Sequence, residues 1–134
     1  MKVLLVSHGS IAQGFCETAT NFFVAKDVYF ANVDLETGTK GLIEKVNAYL
    51  DAWKDETVVV CSDLKGGSAN QTMMQYVSYP NVFLVSGMNL SLILQLVLTP
   101  EITHDGLVEM IEMAKNDLVL INDSMNTGFD EDDE

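Results

Sequence analysis

The chain has 134 residues, 48% of them hydrophobic, with a mean hydropathy of +0.16, which suits one domain with a sizeable core and excludes a disordered chain. Twenty Asp and Glu stand against seven Lys and no Arg, a net charge of −13, so the clustered cations that nucleic acids or anionic membrane surfaces require are missing. A soluble partner with a basic face fits that field better.

Residues 2–6 read as a short apolar strand. Ser7-His8-Gly9 stops the run after four apolar residues, too few for a signal peptide, so a cytoplasmic location is expected. Ser10 suits the N-cap of a helix over residues 11–24, where Ile11, Phe15, Thr18, Ala19, Phe22 and Phe23 recur at helical spacing. Residues 28–33 read as a second strand. Gly38 and Gly41 lead into a helix striped by Leu42, Ile43, Val46, Tyr49, Leu50 and Trp53. Residues 57–61 (Thr-Val-Val-Val-Cys) predict a strand buried on both faces. Ser62-Asp63-Leu64-Lys65-Gly66-Gly67-Ser68 ends it, and a helix is expected to about Tyr79, where Pro80 breaks it.

Residues 81–86 predict a fourth strand, and Gly87-Met88-Asn89 turns into an apolar helix over residues 90–98. Thr99-Pro100 is expected to start a further helix carrying Leu107, Met110, Ile111 and Ala114 at helical spacing. Residues 117–121 (Asp-Leu-Val-Leu-Ile) read as a last strand. Residues 123–134 close on Asp130-Glu131-Asp132-Asp133-Glu134 and are expected to be a disordered, solvated tail, since such a run repels itself. No run nears the roughly 18 apolar residues of a spanning helix. Cys16 and Cys61 lie inside apolar segments and read as reduced core thiols; two Cys and two His at scattered spacing make no zinc signature.

Strands alternating with helices predict right-handed crossovers and an α/β domain of three layers, a mostly parallel four-stranded sheet of order 2-1-3-4 with helices on both faces. Ligands of such sheets sit beyond the carboxyl ends of the strands, at the switch point where neighbouring crossovers leave to opposite faces. There strand one ends in His8-Gly9-Ser10, strand three in Asp63 followed by Gly66-Gly67-Ser68, and strand four in Gly87-Met88-Asn89. Strands one and three are neighbours in that order, which brings His8 and Asp63 within reach of a carboxylate–imidazole hydrogen bond. A carboxylate on one ring nitrogen fixes the tautomer and leaves the other as a lone pair, available as base, metal ligand or nucleophile. Two glycines before a helix start supply close backbone approach and N–H groups for an anion. A nucleophilic histidine beside an anion seat points to phosphoryl transfer through phosphohistidine. Each part also has an ordinary reading: a solvated histidine, a capping aspartate, a glycine turn. The other histidine, His104, precedes Asp105-Gly106 without any glycine-rich seat and is expected to be solvated or capping.

At these residues the chain resembles the mannose-type enzyme IIA domain of the bacterial phosphoenolpyruvate:sugar phosphotransferase system (PTS). The resemblance covers residues 1–122 and rests on Val3-Leu4-Leu5-Val6-Ser7-His8-Gly9, Asp63-Leu64-Lys65-Gly66-Gly67-Ser68 and Ser86-Gly87-Met88-Asn89-Leu90, in that order. It implies that His8 is phosphorylated by the phosphocarrier HPr and passes the group to a histidine of enzyme IIB, touching the membrane sugar permease only indirectly. Asp63 would hold the Nδ1 proton. Gly9, Ser10, Gly66, Gly67 and Ser68 would surround the phosphoryl group, with Lys65, Gly87, Met88 and Asn89 lining the site. The family implies no metal or organic cofactor and a homodimer that exchanges a C-terminal strand, for which residues 117–121 qualify. Lys65, Ala69 and Ser91 stand where the family usually has an aromatic and two prolines. Two other functions remain open: a regulatory module of the same fold acting by contact, and a small-molecule-binding flavodoxin-like domain, the latter weakened by the lack of Arg and of G-x-G-x-x-G spacing.

Overall fold

The computed structural model describes residues 1–125. Four strands, β1 (Lys2–His8), β2 (Val28–Val33), β3 (Val58–Ser62) and β4 (Val82–Ser86), pair in parallel in the order β2-β1-β3-β4. Helices α1 (Ile11–Phe23), α2 (Gly38–Ala52), α3 (Ser68–Met73), α4 (Leu90–Val97) and α5 (His104–Lys115) cover both faces, with a 3₁₀ turn, Met74–Tyr76, after α3. The expected fold class and strand order are those observed.

Alternation along the central strands builds two cores. Val3, Leu5, Val59 and Cys61 point to one face and pack with Ala12, Cys16 and Ala19 of α1 and Leu92, Ile93 and Leu96 of α4. Leu4, Val6, Val58 and Val60 point to the other and pack with Leu42, Val46 and Leu50 of α2 and Met73 of α3. Both faces of β1 and β3 are therefore dry, which is why these strands are apolar without interruption. Helices α1 and α3 leave the adjacent tips of β1 and β3 toward opposite faces. The switch point lies between those two tips. Both cysteines are buried and free, and burial pushes the Cys61 thiol up to about 12.

Several boundaries depart from expectation for local physical reasons. β1 runs on to His8, because the register with β2 continues through Ser7↔Asn32 and His8↔Val33. Ser10 stands at the N-cap of α1 without a capping hydrogen bond; the buried Ser7 Oγ does that work, accepting from the Ala12 N–H at 2.7 Å. α3 stops at Met73 rather than near Tyr79, where i→i+3 bonding takes over. α5 begins at His104 and not at Thr99-Pro100, since Thr103 Oγ1 accepts from the Gly106 N–H at 3.1 Å and sets the start. Residues 117–121 are not a strand in this chain. The run joins neither open edge of the sheet, β2 or β4, and Leu118, Val119, Leu120 and Ile121 stay exposed, so no apolar burial fixes it as a strand within one chain. Of the expected acidic tail, residues 126–134 lie outside the described residues. Among the described residues no helix is long and apolar enough to cross a membrane.

Candidate functional site

His8 ends β1 with its imidazole about half exposed (47%), while the Asp63 side chain just past β3 is 9% exposed. Asp63 Oδ2 accepts from the His8 backbone N–H at 3.0 Å and lies 2.9 Å from Nδ1. An acceptor-only carboxylate at that nitrogen requires a proton on it, so Nδ1 donates and Nε2 carries the lone pair. Nε2 in turn lies 2.7 Å from Ser68 Oγ, the first residue of α3, whose hydroxyl donates to it. Burial works to raise the Asp63 carboxyl; the hydrogen bonds from the His8 backbone N–H and ring outweigh it and hold the carboxyl below its ordinary value.

The glycines between Asp63 and Ser68 make this approach possible. Gly66 has φ of +80°, a conformation that L side chains rarely adopt. Gly67 has an ordinary φ of −72°, and its requirement is space: a Cβ there would lie 3.3 Å from His8 Cε1 and 3.3 Å from the Leu64 carbonyl oxygen. The loop is pinned by Gly67 N–H to Leu64 O at 3.0 Å and by Gln71 Nε2 to Gly66 O at 2.8 Å.

Other expected site residues are placed differently. The Gly9 N–H donates to Val33 O at 2.9 Å and Ser10 is exposed at the start of α1. The Gly9 and Gly67 N–H groups are thus committed within the fold, which leaves Ser68 Oγ and the first-turn N–H groups of α3, without intrahelical acceptors, as donors toward an anion. Lys65 is exposed and makes no ion pair among the described residues. Asn89 caps α4, accepting from the Leu92 N–H at 2.9 Å and donating to Ala114 O at 2.8 Å. With Gly87 and Met88 it lines a cavity of about 480 Å³ shared with Leu92, Ile111 and Leu118, apart from the imidazole. His104 Nδ1 lies 3.0 Å from Asp105, with both side chains in solvent.

Sequence reasoning missed one group. Asn70 in α3 takes hydrogen bonds from Ser62 and Ser86, the last residues of β3 and β4. The available signal was slight: Asn70 shares its helix with the polar Ser68, Gln71 and Thr72, and only the two strand-ending serines, Ser62 and Ser86, mark it. Among the described residues no cluster of three or more His, Cys, Asp or Glu side chains is gathered as a metal would need.

The arrangement offers a half-exposed lone pair, oriented from behind by a buried carboxylate and flanked by a hydroxyl, which suits a nucleophile or base meeting a partner at the surface. Comparison with known proteins bears on which. Curated proteins give no match. Among solved structures, the mannose/sorbose-specific IIA subunit of the phosphotransferase system from Enterococcus faecalis superposes with a TM-score of 0.79 at 24% identity, over 89% of this chain and 92% of that one. The PTS IIA protein associated with the fucose utilization operon of Streptococcus pneumoniae gives 0.73 at 24%, over 92% and 95%. A sigma-54 interaction domain protein from Enterococcus faecalis shares the fold at 0.70 and 14%, over 87% and 91%. The family model EIIA-man, described as the PTS system fructose IIA component, matches residues 2–115. With that match spanning most of its length, the chain belongs to the EIIA-man family of enzyme IIA components of the sugar phosphotransferase system.

Proposed function

We propose that this protein is a phosphohistidine relay: His8 Nε2 takes a phosphoryl group from phosphorylated HPr and hands it to a histidine of enzyme IIB during sugar uptake. The observation that carries the proposal is the Asp63–His8–Ser68 string, with the carboxylate on Nδ1 and the hydroxyl on Nε2. Family membership supports a role in the sugar phosphotransferase system.

In the forward step the Nε2 lone pair attacks phosphorus in line with the donor's N–P bond. That bond breaks, and its electron pair returns to the donor imidazole. Asp63 keeps the Nδ1 proton and balances the positive charge that develops on the ring. The Ser68 hydroxyl swings from the lone pair to a phosphoryl oxygen. Such a loose transition state needs alignment and charge stabilisation more than bond-making help. The chain has no Arg, so a basic partner face would supply cationic charge, and Lys65 is the cation in the site loop. The reverse sequence of events passes the group on to enzyme IIB.

On this proposal residues 1–122 are the enzyme IIA domain, residues 123–134 an acidic tail, and the protein works in the cytoplasm. The exposed Leu118, Val119, Leu120 and Ile121 would pair with a second copy as an exchanged strand in a homodimer. The deciding experiment is intact mass after incubation with phosphoenolpyruvate, enzyme I and HPr. One acid-labile phosphoryl group, absent from His8→Ala, is expected; a phosphorylated His8→Ala protein would sink the assignment.

A regulatory contact module is the second reading, favoured by the shared fold of the sigma-54 interaction domain protein. Failure to gain mass with a competent, cognate HPr would select it.

A further inference from the structure

The last residues of β3 and β4, Ser62 and Ser86, face each other in the parallel register. Asn70, the third residue of α3, sets its side-chain carbonyl between their hydroxyls: Ser62 Oγ donates to Asn70 Oδ1 at 2.8 Å and Ser86 Oγ donates to it at 2.5 Å. Asn70 is 5% exposed, and Ser62 is fully buried. Apolar packing was an open alternative here, since Ala69 and Met73 on either side of it belong to the core. A buried amide loses its hydration and regains it only through directed hydrogen bonds; what it adds over an apolar side chain is a fixed geometry.

The geometry at stake is that of the imidazole. Ser62 immediately precedes Asp63, whose Oδ2 holds the His8 backbone N–H and Nδ1. Ser68, two residues before Asn70, holds Nε2. The two side chains that grip opposite ring nitrogens thus sit inside one loop, and the Ser62–Asn70 hydrogen bond closes that loop on itself. The Ser86 bond ties the closed loop to the neighbouring strand. α3 has only six residues and cannot hold its own orientation by helical bonding.

We infer that Asn70 is a positioning residue for His8, clasping the ends of β3 and β4 so that Asp63 and Ser68 meet Nδ1 and Nε2 together; its kinetic consequence rests on the relay role proposed above, its effect on the imidazole does not. Loosening the clasp lets the two grips drift independently. The ring then samples both tautomers, and a fraction of the molecules presents a protonated Nε2 that cannot attack.

The test uses the full chain with nitrogen-15 histidine, because the His8 ring nitrogen shifts report which nitrogen is protonated. Transfer from phosphorylated HPr gives kcat and KM. Asn70→Leu is compared with the triple variant that adds Ser62→Ala and Ser86→Ala, which leaves no hydroxyl without its partner. Asn70→Leu is expected to lower Tm, to lower kcat roughly tenfold with KM for phospho-HPr unchanged, and to turn a single Nδ1–H tautomer into a mixture. The triple variant is expected to regain Tm but neither the tautomer nor kcat. A purely structural role predicts the opposite, so a triple variant that regains either the tautomer or kcat overturns the inference, as does Asn70→Leu with wild-type nitrogen shifts. Should Asn70→Leu alone fail to fold, the triple variant decides. A wild-type chain that takes no phosphoryl group defeats the relay role, and the nitrogen shifts still settle what Asn70 does.

Discussion

Two histidines in this chain hold an aspartate at Nδ1, at 2.9 Å for His8 and Asp63 and 3.0 Å for His104 and Asp105. Distance does not separate them; their surroundings do. Asp63 is 9% exposed and Asp105 is 98% exposed. Asp63 comes from 55 residues away and also receives the His8 backbone N–H, whereas Asp105 is simply the next residue. In water a neighbouring pair of this kind is screened and worth little. At the strand tips the carboxylate is dry, doubly bonded and anchored by β3, so it selects a tautomer and keeps it. A His–Asp contact becomes a chemical device through burial and long-range fixing rather than through proximity.

The largest expected effect of that difference is on phosphorylation. His8→Ala abolishes the acid-labile mass gain, while His104→Ala leaves it and its rate unchanged; label appearing on His104 would erase the distinction between the pairs. Next in size, Asp63→Asn slows transfer by on the order of a hundredfold, and Asp105→Asn leaves the rate as it was, both read by rapid-quench transfer from phospho-HPr.

The Asp63 pair also has a signature in pH. Its carboxyl titrates below the ordinary value in the folded chain. Its contribution to stability is therefore present above the unfolded value of about 3.9 and is lost as pH falls through the lower folded value. The Tm gap between wild type and Asp63→Asn should accordingly shrink as pH falls from about 6 toward about 2, and a gap that widens in acid would reverse the sign of the argued linkage.

Smaller again is Gly67→Ala. Its Cβ would press within 3.3 Å of His8 Cε1 and the Leu64 carbonyl, so transfer should slow about tenfold with a loss of roughly 1 kcal/mol in urea unfolding. Wild-type kinetics in that variant would show that the ring has room to move. Ser68→Ala comes last, at a few-fold: it removes a donor to the phosphoryl group but also uncovers the Nε2 lone pair. No rate change at all would reduce Ser68 to a helix-starting residue.

Much of the fold was legible before any coordinates. The uninterrupted apolar runs at Val3 to Val6 and Val58 to Cys61 announce strands covered on both faces, and helices alternating with them leave few parallel topologies. Two central strands flanking a switch point follow, and with them the neighbourhood of His8 and Asp63. Legibility failed where a side chain from elsewhere settled a local contest. Ser10 reads as the cap of α1, and the tertiary fold uses Ser7 from inside β1 instead. Thr103 outcompetes Thr99-Pro100 for the start of α5 because its hydroxyl reaches Gly106. Asn89 reads as a site-lining residue after β4, yet both ends of its amide are taken by α4 and α5. Residues 117–121 have the composition of a strand but join neither open edge of the sheet in their own chain.

Residue type and order were enough to set the layers, the strand order and the edge of the sheet where chemistry collects, because burying apolar faces is a collective demand that periodicity records directly. Which nitrogen of His8 is free, which glycine yields space to its ring and which serine holds its lone pair were decided only when β1, β3 and α3 came together. Hydrogen bonds act over about 3 Å and demand direction, and periodicity records neither.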